Sequence, residues 1–177
     1  AAIDEYGEPL PAFVLEACRK ADAVMLGAVG DPRHDDNPPH LRPEKALLGL
    51  RKALGLFANL RPILAFDELL ESSTIKKDVV KGVDILIVRE LTGGIYFGEP
   101  RGFETTEKGR AAFNTEIHWD YEVERIARVA FEAARKRKGK VTSVDKSNVL
   151  ESSQIWRKVV EEVHEEYQSI ELDHVLI

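Results

Sequence analysis

The sequence predicts an α/β fold with a largely parallel sheet. Apolar runs of strand length alternate with helical patterns through most of the chain. One run, VDILIV at 83–88, shows little alternation, as a strand covered on both faces does. Two segments near the C-terminus carry apolar stripes at helical spacing.

In chain order, Pro11 suits the start of a short helix, PAFVLEACRK. AVMLGAV at 23–29 has the length and content of a strand. DPRHDDNPPHLRP at 31–43 is too rich in proline and aspartate for regular structure, and loops of that length are often functional. Glu44 to Leu54 is helical in pattern, with Leu47, Leu48 and Leu54 apolar. FANLRPIL at 57–64 is extended, because Pro62 biases Arg61 away from helix. Residues 67–82 read as a polar, partly helical connection ending near Gly82, and 104–112 as loop. FNTEIHWD at 113–120 alternates as a strand does.

The clearest helix is 121–137, where Val123, Ile126, Ala127, Ala130, Phe131 and Ala134 form one stripe and Gly139 supplies a stop. A strand follows at 140–146 and a second amphipathic helix at 153–167, with Ile155, Trp156, Val159, Val160 and Val163 on one side. The last strand, 170–177, stays apolar to the terminus, so the architecture reads as cut midway.

Composition narrows the class. The 177 residues carry 44% hydrophobic and 32% charged side chains, as a globular chain with a solid core does. No apolar run reaches the length of a membrane helix. AAIDEYGEPLP lacks the basic start and apolar middle of a signal peptide. The single cysteine, Cys18, allows no intrachain disulfide, fits a reducing cytoplasm, and is expected to fill core among Phe13, Val14 and Ala17. A net charge of −6 disfavours nucleic acid as a partner. The basic run RKRKGK at 135–140 is expected to pair with a helix C-terminal dipole.

No GxGxxG, P-loop or HExxH occurs, so a Rossmann-type or P-loop nucleotide site is not supported. Arginine placement stands out instead. Arg51, Arg61 and Arg89 sit in or at the ends of elements, where their planar forks would suit a di- or tricarboxylate; three separate salt bridges explain them equally well. Tyr96 follows Gly93 and Gly94, which allow positive φ or close backbone approach. It is either a proton donor aimed into a cleft or a packed turn tyrosine. Lys146 and Asn148 follow a strand, where open α/β sheets place ligands. The lysine is a base if desolvated, and otherwise a solvated residue opening a turn. His34 and His40 are weak metal evidence, and His118, His164 and His174 lack partner spacing and read as surface or core residues.

Three long stretches carry a resemblance: LLGLRKALGLFANLRP at 47–62, VRELTGGIYFGEPRG at 88–102 and SVDKSNVL at 143–150. They are similar to the 3-isopropylmalate dehydrogenases, β-decarboxylating dehydrogenases of the isocitrate/isopropylmalate family. The resemblance runs the length of the chain. It implies a two-domain α/β fold that binds NAD without the Rossmann fingerprint. Residues 1–56 would belong to the first, cofactor-side domain and 57–177 to the second, with dimer helices and an arm.

By position, the resemblance places Arg51, Arg61 and Arg89 on the malate carboxylates. It makes Tyr96 the catalytic acid and Lys146 the base side of a relay acting through water. Leu47, Leu48 and Val149 would surround the isopropyl group, with Asn148 also on the substrate side. Asp31, Pro32, Arg33, His34, Asp35, Asp36, Asn37, Pro38, Pro39, His40, Leu41, Arg42, Pro43 and Glu44 would line part of the NAD site.

The implied chemistry is oxidation of 3-isopropylmalate by NAD and loss of carbon dioxide to give 2-oxoisocaproate, a step of leucine biosynthesis. Mg²⁺ or Mn²⁺ would act as Lewis acid. Leu47 and Leu48 favour an isopropyl group over a third carboxylate, whose unpaired burial would cost several kcal/mol. D-malate or tartrate is the alternative within the class, and a non-catalytic dimerisation module the alternative outside it.

The family implies a cytoplasmic homodimer built on helices 121–137 and 153–167, with 113–120 in the arm and Lys146 reaching the partner's site. The chain departs from the family at both ends. It lacks the first strand with its GDGIGPE-like turn, and the metal-binding aspartates are expected beyond Ile177. A fragment with little or no activity of its own is therefore expected.

Overall fold

The computed structural model describes residues 2–177, and the chain divides into two compact units, Ala1–Phe57 and Ala58–Ile177. In the first, helix α1 spans Ala2–Tyr6, α2 Ala12–Lys20 and α3 Glu44–Ala53. Pro11 stands at the N-cap of α2. The loop expected at 31–43 is not wholly irregular. It contains the 3₁₀ turns Pro32–His34 and Pro39–Leu41, each opened by a proline whose missing N–H a first helical turn does not need.

Two expectations fail in this unit. AVMLGAV at 23–29 pairs with no strand among the described residues, and Met25 is fully exposed. An apolar run becomes a strand only where a ladder receives its backbone groups. Cys18 fills no core: it is only partly buried, on a helix without a buried residue.

The second unit opens with strand β1, Ala58–Leu64, then a 3₁₀ turn at Asp67–Ser72, helix α4, Lys77–Val80, and strand β2, Asp84–Glu90. A short turn at Gly94–Tyr96 leads to β3, Gly102–Thr106, and β4, Gly109–Phe113. Helix α5, Asp120–Arg135, strand β5, Lys140–Asp145, helix α6, Glu151–His164, and strand β6, Glu171–Leu176, complete it.

No single, largely parallel sheet forms: the described strands make three two-stranded sheets. β1–β2 and β3–β4 are antiparallel pairs, and only β5–β6 is parallel. Connection explains two of the three. The tight turn between β3 and β4 forces antiparallel pairing, while α6 provides the crossover that a parallel pair needs. Residues 104–112 thus form most of a hairpin rather than a loop. Residues 114–119 form no strand at all. The Ile117 carbonyl is taken by the Gly94 N–H at 2.8 Å, not by a ladder.

The core lies between α5 and α6. Val123 and Phe131 have no exposed surface, and Val159, Val160, Val163 and Ile170 are nearly as buried. Phe131 stacks on Tyr167 at 5.0 Å and on His164 at 5.5 Å. Burying each such side chain contributes roughly 1.5–3 kcal/mol. In the basic run, Arg135 pairs with Glu132 and lies over the Tyr167 ring, and Arg137 pairs with Asp84, so carboxylates and an aromatic face take these cations besides the helix dipole.

Candidate active site

β2 shows how one strand serves two purposes. Successive side chains point to opposite faces, so Leu86, Val88 and Glu90 share one and Ile85, Ile87 and Arg89 the other. Across the ladder Asn59 pairs with Arg89 and Arg61 with Ile87. Arg61 and Arg89 therefore stand on the same face of the β1–β2 pair. That face is open within the unit: Ile85 is 51% exposed and Ile87 43%. The expectation that β2 is covered on both faces is corrected, because only one face packs against α5.

The Arg89 guanidinium lies 5.4 Å from the centroid of the Tyr96 ring, a cation–π contact. Tyr96 remains mostly exposed. Its turn requires glycine at Gly94 and Gly98, and Gly93 sits close against Glu122. Gly94 has φ +70°, which favours glycine. A Cβ on Gly98 would meet the Thr115 carbonyl oxygen at 2.1 Å, and one on Gly93 would meet Glu122 Oε2 at 2.5 Å. Arg101 donates to the Tyr96 carbonyl oxygen and closes the turn.

β2 and β5 end at the same end of α5. Arg137, beyond the C-terminus of α5, holds Asp84 at the start of β2 at 2.6 Å, and Arg125, in the second turn of α5, holds Glu90 at its end at 3.1 Å. A cavity of about 760 Å³ runs along both strands, with Ala127, Ala130, Phe131 and Ala134 in its wall. The wall mixes these apolar side chains with polar and charged ones. Arg89, Glu116, His118 and Lys146 line it where the strands finish. β2 and β5 belong to different two-stranded sheets, so their common finish is set by α5, against which both pack.

Lys146 is partly buried and comes directly after a strongly held residue. Asp145, 5% exposed, receives Arg157 Nε at 2.9 Å, Arg157 Nη2 at 3.0 Å and the Ser147 N–H at 2.9 Å. Burial pushes this carboxyl up, but Arg157 and Ser147 outweigh it and hold the group below its ordinary value. Asn148 and Val149 are exposed in the next turn.

In the first unit, Leu47, Leu48 and Arg51 are partly buried on α3. The 31–44 loop is held by its own residues and by Asp4 of α1, which faces Arg33 Nη2 at 3.7 Å and His34 Nε2 at 3.5 Å. Asp31 accepts from the Arg33 N–H at 3.0 Å and from its Nη2 at 2.7 Å, and this pairing draws the Asp31 carboxyl down to about 2. Asn37 Nδ2 bridges His34 Nδ1 and the Leu41 carbonyl, and Arg42 Nε donates to the Asn37 carbonyl. Asp35, Asp36 and His40 are left exposed.

The model of one family, isocitrate/isopropylmalate dehydrogenase, matches residues 1–177. The chain belongs to that family. A 3-isopropylmalate dehydrogenase of Geobacillus kaustophilus is 56% identical over 177 residues, covering 100% of this chain and 48% of that protein. The chloroplastic 3-isopropylmalate dehydrogenase 2 of Arabidopsis thaliana is 54% identical over 178 residues, covering 100% of this chain and 44% of that protein. Among solved structures, a β-decarboxylating dehydrogenase of Thermococcus kodakarensis superposes with TM-score 0.70 at 33% identity, over 99% of this chain and 46% of that one. The chain spans about half the length of the curated relatives it matches.

Within this member of the isocitrate/isopropylmalate dehydrogenase family, Arg61, Arg89, Tyr96 and Lys146 belong to the second unit, and Arg51, Leu47, Leu48 and the 31–44 loop to the first. Sequence reasoning passed over Glu90, Glu122, Arg125, Asp145 and Arg157. Nothing in their spacing announces them, because their partners lie on other elements. Only the adjacency of Glu90 to Arg89 and of Asp145 to Lys146 was there to be used.

Proposed function

We propose that the whole protein is an NAD-dependent 3-isopropylmalate dehydrogenase, catalysing the oxidative decarboxylation that serves leucine biosynthesis. The observation that carries this reading is the junction of strand ends, with Arg89 over Tyr96 and with Arg89 and Lys146 lining one cavity. The names of relatives more than half identical support the substrate.

On this reading Arg61 and Arg89, from one ladder face, pair with a substrate carboxylate. Two-pronged pairing fixes orientation, which in such sites lowers a barrier by several kcal/mol. Lys146 takes the hydroxyl proton through a water, and Tyr96, at the open rim of its turn, returns a proton to carbon after carbon dioxide leaves. Leu47, Leu48 and Val149 meet the isopropyl group, Arg51 adds a third guanidinium and Asn148 lies at the substrate's edge. Residues 1–56 act as the cofactor-side domain and 57–177 as the dimerising one.

For NAD, the 31–44 loop fits one part of the cofactor. Asp31, Asp35, Asp36 and Glu44 make it acidic, and Asp31 already engages Arg33. Such a loop suits hydroxyl and amide donors of the nicotinamide riboside rather than the pyrophosphate. Bound NAD supplies the hydride acceptor. Among the described residues no group of three or more His, Cys, Asp or Glu could hold a metal ion, and the chain spans about half the length of its relatives, so Mg²⁺ or Mn²⁺ is proposed for the whole protein and no step is assigned to it here. The protein is taken to work as a cytoplasmic homodimer.

The test uses the full-length protein with NAD, Mg²⁺ and 3-isopropylmalate, following NADH. Turnover is expected, with kcat/KM above that for D-malate and isocitrate. Tyr96→Phe should lower kcat by about 10²–10⁴ without changing the melting temperature. A wild-type preference for D-malate or isocitrate overturns the reading.

A further inference from the structure

Glu90 is a buried carboxylate that the proposed chemistry does not use. It is the last residue of β2, its side chain is 4% exposed, and it points to the face opposite Arg89. Every direction around it is filled by a donor. Oε2 accepts the Thr92 N–H and the Gly93 N–H, each at 2.7 Å. Oε1 accepts the Thr92 hydroxyl at 2.7 Å and Arg125 Nη2 at 3.1 Å. Arg125 also donates to the Thr92 hydroxyl oxygen, which closes a three-membered network between the strand end, the glycine turn and α5. Hydrogen bonds to a charged acceptor are about twice as strong as neutral ones, so this site grips the turn at its first two residues.

The opposite side of the turn is equally confined. Glu122 Oε2, on α5, accepts the Trp119 N–H at 3.1 Å and packs against Gly93. Gly94 is held through its N–H by Ile117, and its missing side chain leaves room for His118. The turn carrying Tyr96 thus depends on contacts gathered at the start of α5, and Glu90 is the one that joins it to the strand.

We infer that Glu90 is a positioning residue for Tyr96, acting through the Thr92–Gly93 backbone, in the reaction proposed above. The inference rests on that reading. It makes a specific distinction between the two neighbours on the chain. The Arg89 backbone is held in the β1–β2 ladder opposite Asn59, independently of the Glu90 side chain. Tyr96 has no ladder and depends on the anchored turn. Loss of the anchor should therefore lower kcat, which needs the tyrosine hydroxyl in place, more than it raises KM, which reflects carboxylate binding.

The experiment compares Glu90→Gln with wild type in the full-length enzyme. The amide keeps the size of the side chain but removes the charge and turns one acceptor into a donor facing donors. Thr92→Val is the milder companion, since it removes only the hydroxyl from an intact turn. Glu90→Gln is expected to lower kcat at least tenfold with KM within threefold, and Thr92→Val to lower kcat about threefold. Amide hydrogen exchange at residues 92–98 should be faster in both variants, while exchange across α6 stays as in wild type.

Unchanged exchange at 92–98 overturns the inference, and so does Glu90→Gln kcat within twofold of wild type. If Glu90→Gln does not fold, Thr92→Val decides by the same criteria. A wild-type enzyme that does not oxidise 3-isopropylmalate removes the functional reading and this inference with it. Turnover by wild type and by an unimpaired Glu90→Gln removes the inference alone.

Discussion

Strands β2 and β5 finish in the same way and then diverge. Each ends on a buried carboxylate, Glu90 or Asp145. Each carboxylate accepts the N–H two residues on, from Thr92 or Ser147, and each is held by an arginine from a helix of the same unit, Arg125 or Arg157. Beside each anchor stands a residue proposed for the chemistry, Arg89 before Glu90 and Lys146 after Asp145. The two exits differ beyond the anchor. Lys146 is bonded directly to its anchor, whereas Tyr96 must be carried by a turn that needs glycine at Gly94 and Gly98. A side chain attached to a strand end is placed by the strand. One carried several residues further is placed by packing around the backbone, and is more easily lost.

The largest effect should therefore come from filling space in the longer turn. Gly98→Ala puts a methyl 2.1 Å from the backbone oxygen of Thr115, which cannot move aside as a side chain can. A destabilisation of about 3 kcal/mol is expected, at the upper end for overpacking. The matching change after β5, Asn148→Ala, alters an exposed turn residue and should stay within about 0.5 kcal/mol. Denaturant unfolding of the full-length protein measures both. Gly98→Ala within about 1 kcal/mol of wild type would erase the contrast.

Next in size is the anchor of β5. Asp145→Asn leaves Arg157, itself 29% exposed, without its charged partner. Because water reaches the guanidinium, the cost should fall below that of a fully buried pair, at about 2 kcal/mol. Its pH dependence has a fixed sign. The Asp145 carboxyl titrates below its ordinary value in the folded chain, so its contribution is complete above the unfolded value near 3.9 and disappears as pH falls through the lower folded value. The stability gap between wild type and Asp145→Asn should be full at pH 7 and narrower at pH 3. A gap that widens on acidification contradicts the assignment.

These anchors also mark where the sequence was legible. The stripes of α5 and α6 were read residue by residue, because burial at helical spacing depends on local pattern alone. Val123, Phe131, Val159, Val160 and Val163 are in the core as that pattern required. The strands were read less well. β3 and β4 expose nearly all their residues, with Phe103 at 92%, so no apolar alternation distinguished them from loop. Residues 113–120 alternate and yet pair with nothing beyond Phe113, and the apolar run at 23–29 lies open. Pairing depends on a partner elsewhere in the chain, which a local window does not contain. The same limit hid Glu90 and Asp145. Arg89, Tyr96 and Lys146 drew attention by residue type and motif, but a carboxylate beside them becomes an anchor only through Arg125 or Arg157, tens of residues or a helix away.

The smallest expected effect separates the two exits most finely. The Ser147 hydroxyl helps hold Asp145 down, but the Ser147 N–H and both Arg157 bonds remain when it is removed. Ser147→Ala should cost about 0.5 kcal/mol, the low end for one hydrogen bond. It should also leave kcat within twofold, because Lys146 keeps its covalent attachment to a strand end that is still anchored. The Thr92 hydroxyl is placed differently. It stands between Glu90 and Arg125, so removing it loosens both grips on a turn that has no ladder of its own. A kcat within twofold of wild type for both Ser147→Ala and Thr92→Val would mean that neither hydroxyl is needed to hold its turn. A loss confined to Thr92→Val would mean that the distance between anchor and reacting side chain decides how much each hydroxyl matters.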